Sequence, residues 1–256
     1  MPDYSILDRP ELVNSLFFPR RDFNDSPEYA CDFLVQVEKN ISITCRLYEG
    51  DKNWPWILYF HGNGEVVSDY DYIAALYLAR KLNLAVADYR GYGNSSGSPG
   101  FEYLIKDAHS IFNAIKNELV KKYHQTSLWI MGRSLGSISA LELTHNYPDY
   151  IKGLIIESGF ASVTRLVKHL GIPAYGIDLD KLERDCLKMI TGIRTPSLII
   201  HGERDSLVPL NEGKLIWQNL GTEQKDFIII PDADHNDIIF RQIELYFGAI
   251  EKFIYN

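Results

Sequence analysis

The chain has 256 residues, with 26 basic against 34 acidic side chains and a formal net charge of −8. That length suits a single domain over residues 1–256 with no room for a second catalytic domain, and the acidic balance argues against nucleic acid or an anionic membrane surface as main partner, since both select basic faces. Cys31, Cys45 and Cys186, odd in number and widely spaced, point to free thiols in a reducing compartment, and no C-x-x-C or H-E-x-x-H spacing indicates a metal.

The start, Met1-Pro2-Asp3, offers no myristoylation glycine and no basic-then-apolar leader. No uninterrupted apolar stretch reaches about 18 residues. The expectation is a cytoplasmic protein without integral membrane association.

Apolar runs at about 33–37 and 41–47 flank the polar Glu38-Lys39-Asn40 and predict an antiparallel hairpin at one edge of a sheet. Further strand-like runs at about 56–60, 84–88, 127–131, 153–157, 197–201 and 226–230 alternate with helical patterns. Such alternation predicts an α/β doubly wound, mostly parallel eight-stranded sheet with helices on both faces.

His61-Gly62-Asn63-Gly64 follows the third run. Its glycines permit a tight turn that presents the Asn63 amide, while His61 is expected to brace the loop by hydrogen bonds. Farther on, the third glycine of Gly91-Tyr92-Gly93-Asn94-Ser95-Ser96-Gly97 falls one place late for a dinucleotide fingerprint, and Ser98-Pro99-Gly100 stands where a helix should begin. No cofactor is expected. Leu104, Ala108, Ile111, Phe112, Ile115 and Leu119 recur at helical spacing as a core face.

Gly132-Arg133-Ser134-Leu135-Gly136 lies between the run 127–131 and an amphipathic stretch at 138–143, so a G-x-S-x-G falls at a strand-to-helix turn. There the serine takes strained backbone angles, and the glycines let strand and helix approach. A nucleophilic serine needs a histidine base and a carboxylate to orient it, which follow this turn in the order Ser, Asp or Glu, His. The Leu135 and Asn63 amides are the candidate oxyanion donors.

Between Gly159-Phe160 and Thr195-Pro196, two stripes predict two short helices separated by Gly171-Ile172-Pro173. One is Val163, Leu166, Val167 and Leu170; the other is Leu179, Leu182, Cys186 and Ile190. They read either as a small cap insertion at about 161–194 or as ordinary sheet-covering helices. Phe160 and Leu207 are candidates to line an acyl pocket.

Asp205 follows the run 197–201 and is the candidate acid, with Glu203 its nearby competitor. In Asp-x-x-Val-Pro the proline starts the next helix and leaves the aspartate in the loop. Of seven histidines only His235 lies beyond Asp205, again in a loop at a strand exit, so the chain order makes it the candidate base. Ile239, Ile243, Phe247, Ile250 and Phe253 then predict a final helix.

Taken in order, the His61, Asp88-Tyr89-Arg90-Gly91, Ser134, Glu157-Ser158-Gly159-Phe160, Asp205 and His235 segments resemble the BEM46-like group of α/β-hydrolases, which includes the ABHD13 and ABHD17 types. The resemblance implies an α/β-hydrolase fold with nucleophile Ser134, acid Asp205, base His235 and oxyanion amides on Asn63 and Leu135. It also makes Arg133 the nucleophile's usual neighbour. The lipidated, cysteine-rich N-terminal segment of ABHD17-type enzymes has no counterpart here, where the first cysteine is Cys31.

The expected function is a serine hydrolase, of carboxylesterase or thioesterase type, acting on a small-molecule acyl substrate through an acyl-enzyme. A histidine base works only when neutral, so its rate should rise as pH passes through roughly 6 to 7.5. Three alternatives stay open: an aminopeptidase-like serine peptidase, a non-catalytic α/β-hydrolase scaffold, and a lyase or haloperoxidase use of the fold. No sequence feature sets the oligomeric state.

Overall fold

Apolar alternation folds residues 30–48 into a hairpin in which β1 (Ala30–Glu38) pairs antiparallel with β2 (Ile41–Tyr48). Asn40 at the turn takes φ 67°, a left-handed angle that asparagine tolerates. The computed structural model describes residues 2–124 and 127–256, so Met1 of the N-terminal motif lies outside the described residues. Two compact units result, residues 4–129 and residues 130–256 with 1–3.

In the first unit, β3 (Trp56–Phe60) and β4 (Asn83–Ala87) are buried along their whole length and pair in parallel, while β4 also pairs antiparallel with β2. Such continuous apolar strands suit a sheet covered on both sides. Before the hairpin come a 3-10 turn (Tyr4–Leu7) and α1 (Pro10–Leu16); α2 (Asp71–Leu78) links β3 to β4. In α3 (Phe101–Tyr123), Leu104, Ala108, Ile111, Phe112, Ile115 and Leu119 are all buried, as their spacing predicts.

From Ile130 on, the second unit holds the rest of β5 (Leu128–Arg133), then β6 (Ile151–Glu157), β7 (Ser197–Gly202) and β8 (Lys225–Ile230) alternating with helices, and β7 pairs in parallel with both β6 and β8. The eight strands are ordered β1-β2-β4-β3-β5-β6-β7-β8, which is the α/β-hydrolase sheet with its antiparallel hairpin at one edge.

The helix after the Ser134 turn departs from expectation. In α4 (Gly136–Asn146) every residue from Gly136 to Thr144 is buried, so the helix is enclosed instead of amphipathic. Its polar positions tolerate this because hydroxyls bond back to the chain: Ser137 Oγ donates to Ser134 O at 2.6 Å and Thr144 Oγ1 to Ala140 O at 2.7 Å.

Two short helices follow β6. Ser162 caps α5 (Val163–His169) and Asp178 caps α6 (Leu179–Gly192) through side-chain oxygens. Val163 and Val167 are buried but Leu170 is exposed, because α5 ends at His169 and the chain then turns at Gly171 with φ 65°. Next comes α7 (Leu210–Asn219). The terminal pattern forms two helices, α8 (Ile238–Arg241) and α9 (Ile243–Tyr255), broken at Gln242. That break rotates the buried face, so Tyr246 and Ile254 join Phe247 and Ile250 in the core and Phe253 does not. Among the described residues, no helix is long and apolar enough to cross a membrane.

Candidate active site

Ser134 takes φ 49°, the left-handed region that an L side chain occupies only under constraint. The constraints are explicit. Its amide donates to Glu157 O at 2.9 Å, and its carbonyl accepts from the Ser137 amide at 3.0 Å and the Ser137 hydroxyl at 2.6 Å. Gly132 allows β5 and α4 to touch here: a Cβ on it would run into the Gly136 carbonyl and sit 2.8 Å from the Ala140 Cβ. Leu135 begins the first turn of α4, where amides have no acceptor within the helix.

The exits of β7 and β8 bring Asp205 and His235 together. His235 Nδ1 lies 2.8 Å from Asp205 Oδ2, with both side chains buried. The other oxygen, Oδ1, accepts from the Val208 amide at 2.7 Å and the Leu207 amide at 3.1 Å, so the carboxylate's direction is set by the loop it starts. Glu203, the alternative acid, instead accepts from the Asp232 amide at 3.0 Å. Asp234 crosslinks the two loops by accepting from the amides of Ser206 at 3.0 Å and His235 at 2.7 Å. Those bonds hold its carboxyl below the usual range.

Two residues without an assigned task in the sequence join this arrangement. Arg133 Nη2 donates to the His235 carbonyl and to Asn236 Oδ1, each at 3.1 Å, so the residue preceding Ser134 tethers the His235 loop. Its Nε lies 3.5 Å from Glu157, which also accepts from Tyr246 Oη at 2.6 Å. His201, fully buried on β7, places Nε2 at 2.8 Å from Val208 O and 3.5 Å from Asp205 Oδ2. Burial pushes its pKa down from 6.5, against the opposing pull of Val208 and Asp205. Gly213 makes room for this ring, since a Cβ there would meet His201 Nδ1 at 2.5 Å. Only the four-residue spacing from His201 to Asp205 hinted at a relation.

In the first unit, His61 is fully buried, with Nδ1 at 2.7 Å from Gly62 O and Nε2 at 3.2 Å from Asp88 Oδ1. The Asn63 side chain reads the backbone of the N-terminal segment: Nδ2 donates to Leu16 O at 2.8 Å and Oδ1 accepts from Phe18 N at 3.0 Å and Tyr92 Oη at 2.6 Å. Among the described residues no group of three or more His, Cys, Asp or Glu is placed to hold a metal ion.

Phe160 is buried and lines an open cleft of about 250 Å³ with Leu166, Val208, Pro209, Arg165 and Glu212. Leu207, the other residue singled out as pocket lining, is 43% exposed, and the cleft takes Val208 in its place. The Leu207 and Val208 amides both donate to Asp205 Oδ1.

A family described as serine aminopeptidase, S33, matches residues 52–176, a stretch that includes the His61 and Ser134 turns and ends before Asp205 and His235. The uncharacterized protein YfhR of Salmonella typhimurium is 29% identical over 209 residues, covering 77% of this chain and 70% of that protein. Protein bem46 of Schizosaccharomyces pombe is 28% identical over 211 residues, covering 80% of this chain and 69% of its own length. Among solved structures, the Pyrococcus furiosus esterase Pf2001 has the same fold, with a TM-score of 0.74 at 17% identity over 93% of this chain and 98% of the esterase.

Proposed function

Because this chain belongs to the α/β-hydrolase superfamily, with bem46 among its relatives, we propose that it is a serine hydrolase cleaving esters or thioesters of small to medium acyl groups. One observation carries the reading: His235 Nδ1 faces Asp205 at 2.8 Å in the unit where Ser134 sits strained at φ 49°.

With Nδ1 committed to the carboxylate, Nε2 is the nitrogen left to take the Ser134 proton. Ser134 Oγ then bonds the substrate carbonyl carbon, and the carbonyl oxygen gains the negative charge. The Leu135 amide and the Asn63 amide are the proposed donors to that oxygen. His235 returns its proton to the departing alcohol or thiol as the bond to carbon breaks, leaving an acyl-Ser134. Water, deprotonated by His235, attacks this ester and releases the acid and free Ser134. Asp205 keeps its hydrogen bond to Nδ1 throughout and stabilises the imidazolium.

Helices α5 and α6 serve as the proposed cap, and the odd number of cysteines supports a reducing, cytoplasmic compartment. A fluorophosphonate probe should label the wild-type protein and not Ser134→Ala, with turnover of p-nitrophenyl butyrate lost in parallel. Undiminished turnover by Ser134→Ala overturns the assignment. The description of the matching family favours one second reading, a serine aminopeptidase, using the same three residues. Faster cleavage of proline anilides than of acyl esters decides for it.

A further inference from the structure

We propose that the cleft beside the Asp205 loop is an acyl pocket closed at its far end by the Arg165–Glu212 ion pair, which restricts the enzyme to short acyl chains. The inference rests on the serine hydrolase reading above and adds the substrate class.

The cleft walls belong to the same framework as the proposed catalytic residues. Phe160 receives its place from Ser137, whose Oγ lies 3.4 Å from the Phe160 amide and donates to Ser134 O at 2.6 Å. Val208 donates its amide to Asp205 at 2.7 Å, and its carbonyl lies 2.8 Å from His201 Nε2. One wall is thus built on the Ser134 turn and the other on the Asp205 loop. Leu166 and Pro209 complete an apolar lining.

Arg165 and Glu212 add an ion pair to that lining, beside His169. Arg165 Nε lies 2.7 and 2.8 Å from the two Glu212 oxygens, and Nη1 donates to Glu183 Oε1 at 2.8 Å. Lys168 in turn holds Glu183 at 3.0 Å and Asp180 at 2.8 Å. Arg165 on α5 is therefore pinned to α6 and α7 at once, so the ion pair stays in place. An alkyl chain gains from each methylene laid against Phe160, Leu166 and Val208, and loses that gain on reaching groups whose hydrogen bonds it cannot replace.

The test is a series of p-nitrophenyl esters from acetate to dodecanoate. For the wild-type protein kcat/KM should peak at about four carbons and fall at least about tenfold by eight, the discrimination a few methylenes carry. The double substitution Arg165→Met/Glu212→Leu removes the pair without leaving a lone charge, and should raise the octanoate-to-butyrate ratio at least about tenfold. Leu166→Phe, which fills the cleft from a half-buried position, should lower that ratio. A wild-type peak at eight carbons or longer, or the same chain-length profile in all three proteins, overturns the pocket even though the enzyme is an esterase. Failure of fluorophosphonate to label the wild-type protein overturns the hydrolase reading, and this inference with it.

Discussion

Holding Ser134 at φ 49° costs on the order of 1–3 kcal/mol, because its Cβ crowds the following carbonyl. Glycine relieves that crowding and alanine does not. Ser134→Gly is therefore expected to be more stable than Ser134→Ala by about 1 kcal/mol in urea denaturation, with both inert to fluorophosphonate. Equal midpoints would show that the turn is unstrained. Arg133 acts on the same chemistry from behind, through its bonds to the His235 carbonyl and Asn236. Arg133→Met should lower kcat for a short ester by roughly 10–100-fold with little change in KM, since displacing a catalytic group by about 1 Å costs that much. A fall confined to KM would place Arg133 in substrate binding instead.

Among elements, the contact of β5 with α4 is closed by the absence of a side chain at Gly132. Gly132→Ala pushes a methyl against the Gly136 carbonyl and the Ala140 Cβ, neither of which can swing away. The cost should be about 1–3 kcal/mol by chemical denaturation, with loss of labelling if the turn is displaced. The His61-Gly64 turn depends on a different device, the Asn63 side-chain amide clasping Leu16 O, Phe18 N and Tyr92 Oη. Asn63→Ala leaves these groups without that partner and should destabilise by about 1–3 kcal/mol. Faster amide hydrogen exchange at Phe18 checks this; unchanged protection would show that the segment is held elsewhere.

Over the whole molecule, the response to acid follows from groups whose proton affinity folding has lowered. His201 is pushed below 6.5 by burial, so it is neutral in the fold and must take up a proton on unfolding as pH falls below that value. Asp234 is lowered from 3.8 by the Ser206 and His235 amides. Glu183 is lowered from 4.5 although burial pushes the other way, because the hydrogen bonds from Arg165 and Lys168 outweigh it. In each case the unfolded chain binds more protons, so stability rises with pH through these ranges and is lost as pH falls. The unfolding midpoint in urea should therefore decline first below about 6.5 and again below about 4.5. His201→Gln should flatten the first decline and leave the second; a profile flat from pH 7 to 5 in the wild-type protein would contradict the burial of a neutral His201.

What the sequence determined by itself was local and periodic. Apolar runs with glycine or aspartate at their ends marked every strand, and the Leu104–Leu119 stripe marked the face of α3, because 2-residue and 3.6-residue periods are written directly in side-chain polarity. The strained Ser134 turn was legible for the same reason, since G-x-S-x-G describes its own backbone. Tertiary structure decided what depends on contacts between distant segments. It set β4 between β2 and β3, enclosed α4 on all sides, broke the last helix at Gln242 and chose Asp205 over Glu203 as the partner of His235. It also brought Arg133 to the His235 loop and Arg165 onto Glu212 across separations of 102 and 47 residues. No local period encodes such pairings, because a hydrogen bond depends on position in space and is blind to distance along the chain.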